Sequence, residues 1–304
     1  MRVIALFVVL LLVSLFLSAL INYPLYTLIG DLTDKGPHKL INTTAKLIAI
    51  PGFILLLRYF AVNNKQALGY ALPRREFIVD MFKGLGMGIG ILLGLAAVLL
   101  LLEIRVPREL DNLMPLLAKT LLAAVISGLL IGFIEETFFR GGIFPALRKQ
   151  HVFVASALYC SIFYAAMHFI KQPPLPEGEV ASFANSFWML SGAFDQYAQA
   201  HIWDSFLALF ILGLYLALLR ERTGNLAYVV GVHAGVVMVI KFMKKFTEVN
   251  HANELSWLVG SYDGIVGYLS AAGLSIHLVI SYYFWRRPGK QGPRDSTDLD
   301  CPER

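Results

Sequence analysis

Charge is what this sequence has least of. Asp, Glu, Lys and Arg make up only 15% of its 304 residues, against about 25% in an average soluble domain. So few charges could not cover the surface of a soluble protein of this length. Cysteine is nearly absent too. Cys160 lies in an apolar run and Cys301 close to the last residue, so no disulfide framework is available. The net charge of +5 is scattered rather than gathered into a basic stripe, which excludes a nucleic-acid-binding module. A disordered chain is excluded by what is abundant: 57% apolar residues and a mean hydropathy of +0.64.

The apolar residues come in long runs. A bilayer core of about 30 Å needs roughly 20 helical residues to cross it. Residues 3–21 and 84–102 meet that length almost without a polar side chain. Residues 40–60, 116–143, 152–169, 202–219, 226–243 and 262–285 meet it with isolated exceptions. The expected fold is therefore all-α: a polytopic membrane helix bundle of about eight transmembrane helices around a buried polar site. Residues 1–285 read as one transmembrane domain, and 286–304, polar and rich in Pro and Gly, as a disordered cytoplasmic tail. The first run is long for a signal peptide and no small-x-small cleavage site follows it, so it reads as a retained span. The last four residues place Cys301 in the prenylation position, but Pro302 and Glu303 are not aliphatic, which argues against lipidation.

Basic residues set the orientation. Arg74, Arg75, Arg148, Lys149, Arg220 and Arg222 fall on the side of the N-terminus, while Lys241, Lys244 and Lys245 fall opposite. The excess puts both termini in the cytoplasm, as in a multi-pass protein of a bacterial cytoplasmic membrane. One outer loop, 171–200, is long. It opens with Pro173, Pro174 and Pro176 and continues with Phe183, Phe187 and Trp188 at helical spacing. That pattern fits a helix lying on the membrane surface, as a packed lid more readily than as a gate.

A charge at the bilayer centre costs at least ~2.5–3.5 kcal/mol, so charges kept there are candidates for function. The fourth run holds Glu135, Glu136 and Arg140, with apolar residues continuing to Leu147. Glu136 and Arg140 are four apart, acid first, and can pair. Glu135 is turned about 100° away and has no partner on its own helix. An unpaired carboxylate in a low dielectric can take and give protons near neutrality. Two histidines lie at comparable depth. Helix rise places Glu135 about 20 Å from Arg148, His168 about 26 Å from His151 and His233 about 17 Å from Arg222. Three spans can thus bring one acid and two imidazoles to a single site, a set suited to water activation and oxyanion stabilisation. His277, in the last run, reads as a structural histidine bonded to a neighbouring helix. Asp204 and Asp263 fall near span ends and read as solvated.

These residues resemble the CAAX-processing and bacteriocin-processing family of intramembrane glutamic endopeptidases. The family's Glu-Glu-x-x-x-Arg motif is Glu135, Glu136 and Arg140, followed by a Gly141–Gly142 turn. Its Phe-x-x-x-His motif reads Tyr164-Ala-Ala-Met-His168. Its His-x-x-x-Asn/Asp motif reads His233-Ala-Gly-Val-Val237, with an apolar residue in the polar place. The resemblance covers about residues 115–240. It implies a glutamic-type protease in which Glu135 and His168 activate a water, His233 holds the oxyanion, and Glu136 and Arg140 support the site. The implied partners are the lipid bilayer and a membrane-anchored protein or peptide substrate; no nucleic acid enters, and the oligomeric state stays open. No His-Glu-x-x-His is present, so neither a metal nor a cofactor is expected. Two other readings use the same residues. Buried acids and histidines relay protons in transporters, although the paired broken helices of transporters are missing. Val237 fits a non-catalytic binding or immunity protein with the same fold.

Overall fold

A computed structural model describes residues 2–32 and 36–286. The expected cytoplasmic tail, with Cys301, lies outside the described residues except for residue 286. Nine helices carry the fold: α1 (Arg2–Ile29), α2 (Pro37–Tyr59), α3 (Arg74–Leu101), α4 (Leu113–Arg148), α5 (Phe153–Met167), α6 (Phe183–Ser191), α7 (Trp203–Thr223), α8 (Ala227–Phe246) and α9 (Tyr268–Arg286). Among the described residues, six are long and apolar enough to cross a membrane: α1 to α4, α7 and α8. With the shorter apolar helices α5 and α9, they form an all-α bundle that reproduces the eight runs. The protein is an integral membrane protein. Among the described residues, strand is confined to one antiparallel pair, Arg105–Pro107 with Thr247–Val249.

The bundle is held where helices meet backbone to backbone. Lipid is as apolar as leucine, so spans associate through close packing of small residues and through buried polar contacts. Gly84 and Gly88 of α3 lie against the carbonyls of Tyr228 and Val232 on α8. In return, Gly231 and Gly235 of α8 lie against the carbonyls of Met81 and Leu85. On its other side α8 meets Gly128 and Gly132 of α4 through Ala234 and Val230. α8 is therefore clamped between α3 and α4, and eleven of its residues are buried. Gly86 faces open space.

At the other edge, polar side chains join α1 to its neighbours. Ser18 donates to the carbonyl of Ile41 at 2.7 Å and meets the Thr44 hydroxyl. Asn22 donates to Ser186 of α6 at 3.1 Å. Phe16–Phe187 and Tyr23–Phe183 bring the two helices together at ring distances of 5.7 and 5.0 Å. The long outer loop thus contains the expected helix, seated against α1. Ser182 caps it, accepting from the Asn185 N–H at 3.1 Å.

Two expectations are corrected. Gly141–Gly142 do not form a turn. The chain runs on helically through 137–143 with the widened i→i+5 bonding of a π-helix, and Phe144–Arg148 continues it. The glycines serve packing instead, since a Cβ on Gly142 would strike the Phe53 ring and Leu57 of α2. The last span also begins later, at Tyr268. Residues 262–267 belong to a loop that an Asx turn holds: Asp263 Oδ1 accepts from the N–H groups of Ile265 and Val266 at 2.9 and 2.8 Å. Asp263 is thus an internal anchor rather than a solvated end charge. Asp204 likewise accepts from the backbone N–H of Ser205.

The glycine clamp predicts a contrast within one helix. Gly88→Leu and Gly231→Leu each force the helices apart and should cost about 1–3 kcal/mol or more. Gly86→Ala should be neutral. Thermal denaturation of the three detergent-solubilised variants checks both halves.

Candidate active site

Three helices deliver the site. α4 brings Glu135, Glu136 and Arg140, α5 ends just before His168, and α8 brings His233. All five expected residues come together.

Glu136 and Arg140 are completely buried. Arg140 Nη1 donates to Glu136 Oε1 at 3.0 Å, and Nη2 donates to the Gly213 carbonyl of α7 at 3.1 Å. The guanidinium lies over the Tyr164 ring, 4.4 Å from its centroid, an arrangement that stabilises a cation in a dry setting. The same Oε1 of Glu136 accepts from His233 Nδ1 at 2.6 Å. One carboxylate oxygen thus answers a guanidinium and an imidazole. Arg220 Nε in turn donates to the Arg140 carbonyl at 3.2 Å, and Arg220 Nη2 to the Ala67 carbonyl at 2.8 Å. A second cation therefore secures the backbone of the π segment.

Glu135 is placed differently. Its Oε2 lies 3.8 Å from His168 Nε2 and 3.8 Å from His233 Nε2, too far for a direct hydrogen bond. That oxygen has no hydrogen-bond partner among the described residues, and the Glu135 side chain keeps 30% of its surface exposed while that of Glu136 keeps none. The ring atoms facing it are determined. His168 Nδ1 contacts the Tyr164 carbonyl at 2.8 Å. A carbonyl only accepts, so Nδ1 carries the hydrogen and the neutral ring presents a bare Nε2 to Glu135. His233 Nδ1 is committed to Glu136 in the same way, which aims its Nε2 at Glu135. Three polar atoms from three segments of the chain thus border one space.

That space opens into a cavity of about 570 Å³ bordered by Glu135, Tyr164, His168, His233, Val237 and Tyr262, with mostly apolar walls from α3, α7, α8 and α9. His277 borders it as well, a difference from the structural role its isolation in the sequence indicates. Tyr262 and Asp263 reach it from the loop before α9. The sequence pattern did not point to them, because an exposed loop tyrosine has no cost that marks it. Arg220 escaped for a related reason: it lies near the end of its run, where a basic residue reads as an interface anchor. Among the described residues, no group of three His, Cys, Asp or Glu side chains is arranged to hold a metal.

Residues 117–239 match the family described as Rce1-like, type II CAAX prenyl endopeptidase Rce1-like. The matched segment is similar to this protease family. It runs from early α4 to the second half of α8 and contains every residue of the three motifs. No curated protein and no solved structure matches the chain.

The Rce1-like segment makes a stability prediction around its buried charges. Arg140→Ala leaves Glu136 buried with only His233 to answer it, and should cost roughly 3–5 kcal/mol. Glu136→Gln with Arg140→Leu removes both charges and should recover part of that loss. Melting curves of the two variants decide whether the pair acts as a charge balance.

Proposed function

We propose that the protein is a glutamic-type intramembrane endopeptidase that hydrolyses a peptide bond of a membrane-associated protein or peptide. The supporting observation is the position of Glu135 Oε2, 3.8 Å from both imidazole Nε2 atoms. A water at about 2.8 Å from each of the three donates one hydrogen to Glu135 and the other to the bare Nε2 of His168. Its lone pair then faces the cavity.

The water oxygen bonds to the peptide carbonyl carbon, and Glu135 takes the proton it releases. The C=O π pair moves onto the carbonyl oxygen, where a hydrogen on His233 Nε2 receives it. Glu136, bonded at the far nitrogen of that ring, compensates the charge of a doubly protonated imidazole. Collapse re-forms the carbonyl and breaks the C–N bond. Glu135 returns its proton to the leaving amine, giving a carboxylic acid, which keeps the water's second hydrogen, and an amine. Glu136 and Arg140 touch no reacting atom; they hold His233 in place.

The cavity's apolar walls suit a substrate that arrives with a lipid-attached segment, and the matched family is described by its prenylated CAAX substrates. An S-prenylated peptide ending in a CAAX sequence is therefore the first probe. We place both termini on the cytoplasmic side of a bacterial membrane, on the excess of basic residues there. A second reading, a non-catalytic binding protein of this fold, is favoured by one observation: Val237, one turn after His233, presents only methyl groups to the cavity.

Purified protein in detergent should cleave the prenylated peptide, and Glu135→Ala should lower the rate by about 10²–10⁴-fold. Equal cleavage by the two proteins would sink the protease reading. Full biological function of both Glu135→Ala and His233→Ala in cells would establish the binding reading.

A further inference from the structure

A tetrahedral oxygen needs more than one donor, because each donor in such a site is worth about 10²–10³ in rate. His233 Nε2 supplies one, and Val237, the next residue on the same face of α8, supplies none. The donor has to come from elsewhere on the cavity wall.

The polar groups bordering that wall can be sorted by what they are already doing. Glu135 and Asp263 accept. His168 presents a bare nitrogen. The Ser270 hydroxyl is committed to Gly267, accepting from its N–H and donating to its carbonyl, both at 2.8 Å. His277 borders the wall from within α9, nine residues beyond the start of that helix. Two phenols border it beside the site histidines and the loop before α9.

Tyr164 stands beside both imidazoles, its ring 4.6 Å from that of His168 and 6.1 Å from that of His233, nearly perpendicular to the second. Arg140 fixes the ring from its face, so the position of the hydroxyl follows from packing that is already rigid. Tyr262 comes from the loop before α9 and keeps 36% of its surface exposed. Anchors on both sides hold that loop. Arg105 donates to the Gly264 carbonyl at 2.6 Å while binding the carbonyl and hydroxyl of Thr247, each at 2.7 Å. Ser205 donates to the Val266 carbonyl at 2.7 Å. Gly264 turns the chain with φ +74°, a conformation that glycine adopts without strain. The Tyr262 ring rests 5.3 Å from Phe169, the residue after His168. Burial, then the carboxylates of Asp263 and Glu135, push its phenol up to about 12, so the hydroxyl keeps the hydrogen it would donate.

We infer that the phenols of Tyr164 and Tyr262 supply the oxyanion hydrogen bonds that Val237 cannot. This rests on the protease reading above. It makes the Tyr164 hydroxyl functional where the related motif has phenylalanine, and it gives the 260–266 loop a part in the chemistry.

The test uses the full-length protein, the S-prenylated CAAX peptide, and a phosphinate isostere of that peptide, whose P–O oxygens imitate the tetrahedral ones. Tyr164→Phe with Tyr262→Phe removes two hydroxyls and keeps both rings. We expect kcat to fall at least about 100-fold with KM little changed. The phosphinate should lose its affinity advantage over the parent peptide. Adding Val237→Asn to that double variant should recover at least about ten-fold of the lost rate by restoring one donor. Unchanged kcat and phosphinate affinity in the double variant would overturn the inference while leaving the peptidase standing. So would a loss that falls equally on parent peptide and phosphinate, or one that Val237→Asn does not relieve. If wild type and Glu135→Ala are alike inactive and the wild type shows no preference for the phosphinate, the protease reading fails and this inference with it.

Discussion

A carboxylate in hydrocarbon must be answered, and the arrangement of this protein follows from how Glu136 is answered. One of its oxygens accepts from Arg140 and from His233, so α4 and α8 are joined by charge at the depth where charge costs most. Arg140 extends the connection to the α7 backbone at Gly213 and to the aromatic face of Tyr164 on α5. Four helices are thus in register around one ion pair. Remove it, and His233 loses the partner that aims its Nε2 at Glu135.

Such a network tolerates little looseness, because a carboxylate–imidazole contact of 2.6 Å requires helix axes fixed to within a fraction of an ångström. Lipid offers no hydrophobic pressure to supply that precision. Glycine does, by letting α3 and α4 approach the backbone of α8 directly. The glycines of α3 and the motif residues of α4 and α8 are parts of one device, although only the latter carry ionisable groups. The π segment belongs to it as well. Its widened turn begins directly after Glu136, and Arg220 takes up the Arg140 carbonyl.

The sequence makes the charged part of this legible and hides the rest. Glu135, Glu136, Arg140, His168 and His233 stand out because each is expensive inside an apolar run, and counting residues from basic residues or His151 near the span ends set Glu135, His168 and His233 at similar depth. The spans were legible for the same reason. Tyr262 and Arg220 were not, since neither is costly where the sequence shows it; their positions depend on a loop anchored by Arg105 and on the carbonyl of a distant helix. The double glycine after Arg140 misleads in the opposite direction. Glycine pairs mark turns in water-soluble chains, yet here they clear room for the Phe53 ring and the helix goes on. Periodicity reads the face of a helix, whereas close approach between helices depends on what the other helix presents.

Glu135 and Glu136 are neighbours in the chain with opposite circumstances, and the difference of about 100° around a helix is its entire cause. The one facing α8 meets an arginine and a histidine and is spent on structure. The other faces the cavity, where two imidazole nitrogens approach without touching it. A fold optimised for stability alone would have satisfied both. Leaving one carboxylate oxygen beside two imidazoles without a direct hydrogen bond has a cost, and on the proposed reading a proton acceptor held open in this way is what peptide hydrolysis needs.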